Sequence, residues 1–369
     1  MIESAVDISA SRKDDHVRHA LTQADNRNVR NDFDDIAFIH HALDAIDVQN
    51  VSLSTDLFNR KWSAPLYINA MTGGSEKTGR INSDLARVAN ETGIAVASGS
   101  LSQMFKDPDT TPSFKVLRDL NPNGIVIANV NANTSVDNAK RAVDTLQADA
   151  LQIHINSAQE LAMPEGDREF AHWTKNIGLI VNSIGIPVVV KEVGFGISLK
   201  TTRKLAALGV KYVDTSGRGG TNFAQIEQSR TSNAQMPELA FWGNSTVQSL
   251  LDNSALDPQL NVTLLASGGV RSSLDVARAL ALGAKAVGVA GGFLHTLHHQ
   301  GAEALMSEIE RWKDNLVTVQ ALLGLTTPTD FTNTQLFISG RSAEFSAANN
   351  IDVRYFALRQ REEHPNKNG

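Results

Sequence analysis

Val262-Thr263-Leu264-Leu265-Ala266-Ser267-Gly268-Gly269-Val270-Arg271 and Ala286-Val287-Gly288-Val289-Ala290-Gly291-Gly292 decide the fold. Each is a short apolar run that stops at a polar or small residue and a glycine pair, as a buried strand does at its end. Between them Ser272 can cap a helix, with Asp275 in its first turn and Val276, Ala277, Leu280 and Ala281 on one face. Gly283 then suits a left-handed stop. The segment therefore predicts strand, helix and parallel strand.

Working outward, the same unit recurs. Apolar runs end near Ala70, Ser98, Asn129, Asn156, Lys191, Ser216, Ser267 and Ala290. Successive ends lie 23 to 35 residues apart, except for 51 between Ser216 and Ser267. Ser198 caps one intervening helix, and Gly209 ends it. Eight consecutive βα units predict an α/β fold, a (β/α)8 TIM barrel over residues 61–325. A doubly wound open sheet is the alternative, disfavoured because no second domain interrupts the series. Residues 1–60 form an N-terminal extension and 326–369 a C-terminal extension, with a polar tail expected to fray after Glu362. The long gap predicts a loop insertion after strand 6, about Thr221 to Gly243, rich in Asn, Gln and Ser.

With 41% hydrophobic and 20% charged residues, the chain reads as globular rather than disordered. It has no cysteine, so disulfides, thiolate metal sites and a thiol nucleophile are excluded. The start Met1-Ile2-Glu3-Ser4 does not read as a signal peptide, and no apolar stretch is long enough for a membrane span. A net charge of −6 argues against nucleic acid as a partner. A cytoplasmic location is expected.

In such a barrel, chemistry gathers where strands run into their following loops. Polar turn residues are common there, so no single position is decisive. The two glycine pairs after strands 7 and 8 stand where barrels bind phosphate on backbone N–H groups. Lys191 ends strand 5 and reads either as a cation at the barrel mouth or as a snorkelling lysine. Strand 4 alternates: Leu151, Ile153 and Ile155 share one face, and Gln152, His154 and Asn156 the other. Both faces of a barrel strand are covered, so the polar face must look inward. Beyond it, Glu160 reads either as a first-turn helix carboxylate or as a holder of Mg2+ against a diphosphate. Arg12-Lys13-Asp14-Asp15-His16 reads either as a solvated face or as an anion clamp.

Together these segments resemble the type 2 isopentenyl diphosphate isomerases, over about four-fifths of the chain. The matching stretches are Asn69-Ala70-Met71-Thr72-Gly73-Gly74, His154-Ile155-Asn156-Ser157-Ala158-Gln159-Glu160, Lys191-Glu192-Val193-Gly194-Phe195-Gly196, Asp214-Thr215-Ser216-Gly217-Arg218-Gly219-Gly220-Thr221 and Ser267-Gly268-Gly269-Val270-Arg271. The His-x-Asn-x-x-Gln-Glu and Lys-Glu-Val-Gly-x-Gly stretches are the specific ones. The resemblance implies FMN held by Ala70, Met71, Thr72, Ser100, Asn129, Lys191, Ser216, Thr221, Gly268, Gly269, Ala290 and Gly291. It implies substrate contacts from Arg12, Lys13, His16, His154, Asn156 and Gln159, and Mg2+ on Glu160. It further implies NADPH as the reductant of FMN, a homotetramer, and no catalytic group beyond the reduced flavin. Where many members read Gly-Ser-Gln-Arg after strand 2, this chain has Gly99-Ser100-Leu101-Ser102-Gln103, without the arginine. The implied reaction interconverts isopentenyl and dimethylallyl diphosphate.

Two rivals share the barrel. FMN-dependent 2-hydroxy-acid oxidases carry His-Gly-x-Arg-Gln after strand 6, but this chain has Ser216-Gly217-Arg218-Gly219-Gly220. A non-enzymatic flavin-binding barrel would need neither the polar interior of strand 4 nor the Arg12-Lys13 arm. Inosine monophosphate dehydrogenases need a cysteine that is absent here.

Overall fold

The computed structural model describes residues 5–25, 30–230 and 236–360, with side chains from Asp14 onward. All eight expected runs form one closed parallel barrel. Its strands are β1 Leu66–Ile68, β2 Ala95–Ser100, β3 Val126–Asn131, β4 Ala150–His154, β5 Val188–Lys191, β6 Tyr212–Asp214, β7 Thr263–Ser267 and β8 Val287–Val289. Closure comes from Val287, Gly288 and Val289 pairing with Leu66, Tyr67 and Ile68.

Alternation divides each strand between two cores. Ile68, Val96, Val126, Leu151, Val190 and Val287 face outward into the layer shared with the helices. Tyr67, Ala95, Ile127, Ala150, Val189 and Leu265 face inward. A hairpin, Thr55–Leu57 with Arg60–Trp62, runs across residue 60 and joins that inner core. Its tip residues Phe58 and Asn59 have φ of 55° and 58°, the left-handed values a two-residue turn of the right twist requires. Phe58 stands edge-on to Trp62 and Tyr212, with ring centroids 5.5 and 4.9 Å away. The hairpin thus plugs the barrel at the strand starts and leaves the strand ends open for chemistry.

The expected helix signals are present. Ser198 accepts from the Thr201 amide ahead of helix Leu199–Ala207, and Ser272 from the Asp275 amide ahead of Ser273–Ala281. Gly209 and Gly283 follow with φ of +89° and +107°. The insertion after β6 differs from the expected loop. It contains helix Phe223–Ser229, capped by Asn222, and a 3-10 turn at Pro237–Phe241. Its amide-rich composition hid the short buried face of Ala224, Ile226 and Glu227.

The two extensions meet. Ile36–Phe38 pairs antiparallel with Leu336–Ile338, Ile36 opposite Ile338. The N-terminal helix Ala5–Ala24 lies against helix Gly291–Gln300, where Val17 and Leu21 pack on Leu294. The tail from residue 361 lies outside the described residues. Among the described residues no helix is long and apolar enough to cross a membrane.

Candidate active site

The inner face of the barrel turns polar toward the strand ends, and the polar groups satisfy one another. Asp214 at the end of β6 is fully buried. Its carboxylate accepts from the Tyr67 hydroxyl at 2.8 Å, the Asn69 amide at 3.0 Å and the Ser267 hydroxyl at 2.8 Å. It also accepts from the Ser216 backbone N–H at 3.0 Å, which fixes the start of the loop after β6. On β4, Gln152 bridges Asn129 and Asn69, and His154 Nδ1 stands 2.8 Å from Asn129 Oδ1. The alternation in β4 therefore points Gln152 and His154 inward, as expected. Buried amides paired this way form a rigid floor beneath the cavity.

Above that floor lies a cavity in two joined compartments. The larger, about 420 Å3, is walled by the loops after β6, β7 and β8. Its glycines set backbone against backbone: a Cβ on Gly268, where φ is +94°, would lie 2.0 Å from the Gly217 carbonyl oxygen. A Cβ on Gly291 would sit 2.7 Å from Thr221 Oγ1. Helix Gly291–Gln300 begins at this wall with no side-chain cap from Ala290, and the positive end of a helix dipole favours an anion there. A naked backbone, an uncapped helix start and a cation at the far side fit a phosphate-bearing planar cofactor such as FMN.

That cation is Lys191. It is buried, lines both compartments, and donates to the Glu192 carbonyl oxygen at 2.8 Å. Burial draws its pKa below the ordinary lysine value, while Asp214 and Glu192 oppose that fall. The Glu192 carboxylate accepts from the backbone N–H groups of Val193 and Phe195, both at 2.6 Å. Burial nonetheless pushes it up to about 8.

The smaller compartment, about 250 Å3, adjoins the first through Ala70, Met71, Lys191 and Val193. His16, His154, Asn156, Gln159 and Glu160 all line it. The Glu160 carboxylate accepts from the Asn156 amide at 2.9 Å and from the Asp167 backbone N–H at 2.9 Å. Glu165 and Asp167 line the same compartment, so acidic and basic groups face each other across it. Carboxylates beside an anion site suit Mg2+, which takes one or two of them plus phosphate oxygens and water.

Of the residues expected around FMN, Ala70, Met71, Lys191, Ser216, Thr221, Gly268, Gly269, Ala290 and Gly291 line the larger compartment. Ser100 and Asn129 line the smaller. Thr72 lies behind the wall: its carbonyl accepts from the Gly99 N–H, and its hydroxyl is buried with no partner among the described residues. Arg12 and Lys13 fall on the N-terminal helix, and their side chains lie outside the described residues.

Three site residues escaped the sequence reading. Glu227, buried on the insertion helix, accepts from Gln159 at 2.7 Å, meets His16 Nε2 at 2.9 Å and pairs with Arg230. Burial pushes this carboxyl up, but His16, Gln159 and Arg230 overcome that and hold it at about 2. It thereby ties the N-terminal helix to the loop after β4. Asp214 is the second; it stands in a stretch that resembles the family, but no role was assigned to it, and an acid among polar strand ends was the available signal. Lys106 is the third. It ends helix Ser102–Lys106, after the position where the arginine is missing, and reaches the smaller compartment.

The family model described as FMN-dependent dehydrogenase matches residues 104–337. The chain is 53% identical over 351 residues to an isopentenyl-diphosphate delta-isomerase of Streptomyces sp. strain CL190, covering 95% of this chain and 96% of that protein. It is 51% identical over 360 residues to the enzyme of that name from Nocardia farcinica, covering 98% and 99%. A solved structure of a mutant flavocytochrome b2 with benzoylformate superposes with a TM-score of 0.63 at 20% identity, covering 86% of this chain and 79% of that one. A mandelate oxidase mutant with a monooxide FMN adduct gives 0.61 at 16%, covering 87% and 92%. These two resemblances speak to the fold alone.

Proposed function

The chain belongs to the isopentenyl-diphosphate delta-isomerases of the FMN-dependent dehydrogenase family, and on that premise we propose how its cavity interconverts isopentenyl and dimethylallyl diphosphate. The observation that carries the reading is the joined pair of compartments, with a glycine cradle at one end and a basic, amide and acidic wall at the other. FMN would sit in the larger compartment, its phosphate held by Gly268, Gly269, Ala290 and Gly291 and the rest by Ala70, Met71, Ser216 and Thr221, with Ser100 and Asn129 reaching it from the smaller compartment. Lys191 lies where it can balance negative charge on the ring. When bound and reduced, FMN supplies an electron-rich ring and an exchangeable proton, which ordinary side chains cannot offer an unactivated alkene.

The residues of the chain then bind, orient and exclude water. The diphosphate lies in the smaller compartment, where His16, Arg12 and Lys13 come from the N-terminal helix and Lys106 supplies the cation that the missing arginine would have given. Glu160 would hold Mg2+, whose charge would offset that of the diphosphate beside the acidic wall. His154, Asn156 and Gln159 position the hydrocarbon end beside Met71 and Val193, where the compartments meet. Glu227 fixes both His16 and Gln159, so closing the N-terminal helix over substrate and assembling the wall are one event. NADPH would reduce FMN, one equivalent being oxidised to NADP+ for each flavin reduced, and none would be consumed in the isomerisation turnovers that follow. The enzyme works in the cytoplasm as a homotetramer.

The test is an anaerobic assay with isopentenyl diphosphate, with and without dithionite and Mg2+. Activity is expected only with reduced FMN and Mg2+, and with no steady loss of NADPH. Full activity of the oxidised enzyme, or NADPH consumed in proportion to product, would overturn the proposal.

A further inference from the structure

Outside the cavity, three metal-ligating side chains converge where the N-terminal helix ends. Asp25, His295 and His299 each offer one ligand atom, and these atoms lie within 4.8 Å of one another. His295 and His299 stand one turn apart on helix Gly291–Gln300, with ring centroids 4.5 Å apart. That i, i+4 spacing lets two imidazoles on one helix face share an ion. Asp25 comes from the turn that follows the N-terminal helix, and its Oδ1 already lies 2.9 Å from His295 Nε2. His295 Nδ1 is buried with no partner among the described residues, so the ring is held on one side only.

We propose that Asp25, His295 and His299 bind one divalent transition-metal ion, with zinc as its representative, which clamps the N-terminal helix onto the barrel. The geometry needs little adjustment. A tetrahedral ion with bonds of about 2.0–2.1 Å sets neighbouring ligands roughly 3.4 Å apart. The three atoms must therefore close by at most about 1.4 Å from the 4.8 Å observed. Asp25 and His299 are exposed and free to make that movement. Two imidazoles with one carboxylate select zinc, cobalt or nickel and discriminate against magnesium, which prefers oxygen ligands and water. The site is thus chemically separate from the one at Glu160.

Its place gives it a consequence. The residues just before Asp25, namely Thr22, Gln23 and Ala24, line the larger compartment. Gln23 exchanges two hydrogen bonds with the Asn222 backbone, at 2.7 and 3.1 Å, and Leu21 packs on Leu294. An ion at Asp25 would add a third tie at the end of this roof and resist its lifting. Because the ion binds the docked helix better than a lifted one, it stabilises the docked form by mass action.

The test uses untagged, metal-stripped full-length protein, titrated with zinc chloride by calorimetry and with Co2+ followed by its visible d–d absorption. One equivalent is expected to bind at micromolar concentration in the presence of millimolar Mg2+. It should raise Tm and slow proteolysis of the N-terminal segment. His299→Ala and Asp25→Asn each weaken binding by more than about tenfold, while His298→Ala, a neighbouring histidine outside the cluster, leaves it unchanged. His299 and Asp25 are exposed, so an unchanged Tm without metal verifies that each variant is folded. No saturable binding below about 100 µM zinc, or binding equal to wild type in His299→Ala and Asp25→Asn, would overturn the proposal.

Discussion

Replacing Glu227 by glutamine keeps the side chain's size and removes its charge, which makes the cost calculable. In the native protein the carboxylate is buried and meets Gln159, His16 and Arg230. The amide of the variant can still accept from Gln159 with its oxygen, but its NH2 group then faces the Arg230 guanidinium, donor against donor. Burial opposes ionisation here, yet the three partners lower the carboxyl from 4.5 to about 2. A fall of about 2.5 at 1.36 kcal/mol for each pH unit gives about 3 kcal/mol, and removing one partner of a buried pair independently costs about 3–5 kcal/mol. Glu227→Gln should therefore lose about 3 kcal/mol at pH 7, a fall of roughly 1 M in the urea midpoint. The sign with pH follows from the depressed folded value. The contribution is complete above pH 4.5 and disappears as pH falls toward 2. The gap between wild type and variant should shrink to less than about half by pH 3. Urea unfolding of both proteins at pH 7, 5 and 3 measures it. A loss below about 1 kcal/mol, or a gap that does not change with pH, would refute the electrostatic account of this node.

Three further outcomes are expected. Lys191→Ala should weaken FMN binding by about 2–5 kcal/mol, read by flavin fluorescence titration, because a buried cation is removed from the cofactor wall; unchanged FMN content and turnover would reject that role. Glu160→Gln should raise the Mg2+ concentration for half-maximal activity about tenfold or more while leaving FMN bound, since a neutral amide is a poor magnesium ligand. Arg12→Ala combined with Lys13→Ala should keep the flavin colour and Tm but raise KM strongly and lower kcat in part, as remote binding energy does; near-wild-type kinetics would make the pair a solvated face.

The barrel was legible because its signals are local. Each strand carries its own apolar run, and helices such as Leu199–Ala207 and Ser273–Ala281 are announced by one capping serine and one trailing glycine. The inward face of β4 was legible by a different argument: alternation acquires direction only once both faces are known to be covered. Long-range partners were not legible. Gln159 and Glu227 are 68 positions apart, and His16 reaches the same carboxylate from another helix, so no window of sequence contains the node. The insertion helix itself was hidden, since its seven residues are too few for a periodicity to emerge from amide-rich surroundings. Among the expected cofactor residues Thr72 shows the remaining limit. Adjacency to Met71 along the chain does not guarantee adjacency to a cavity, and the turn of the backbone put its hydroxyl behind the wall.

The pairing of Ile36–Phe38 with Leu336–Ile338 has a bearing on synthesis. Ile36 lies opposite Ile338, so the first strand of the chain has no partner until nearly the last has been made. A ribosome adds about 5–20 residues per second, and the 302 positions that separate the pair take it roughly 15–60 s. For that interval the early strand presents unpaired backbone groups, an edge on which other nascent chains can dock. Its brevity, three residues with Ala37 at its centre, limits that hazard. The same seam brings the two extensions together, so the barrel becomes a loop closed at residues 36–38 and 336–338, and synthesis must pass residue 338 before the tie can be made.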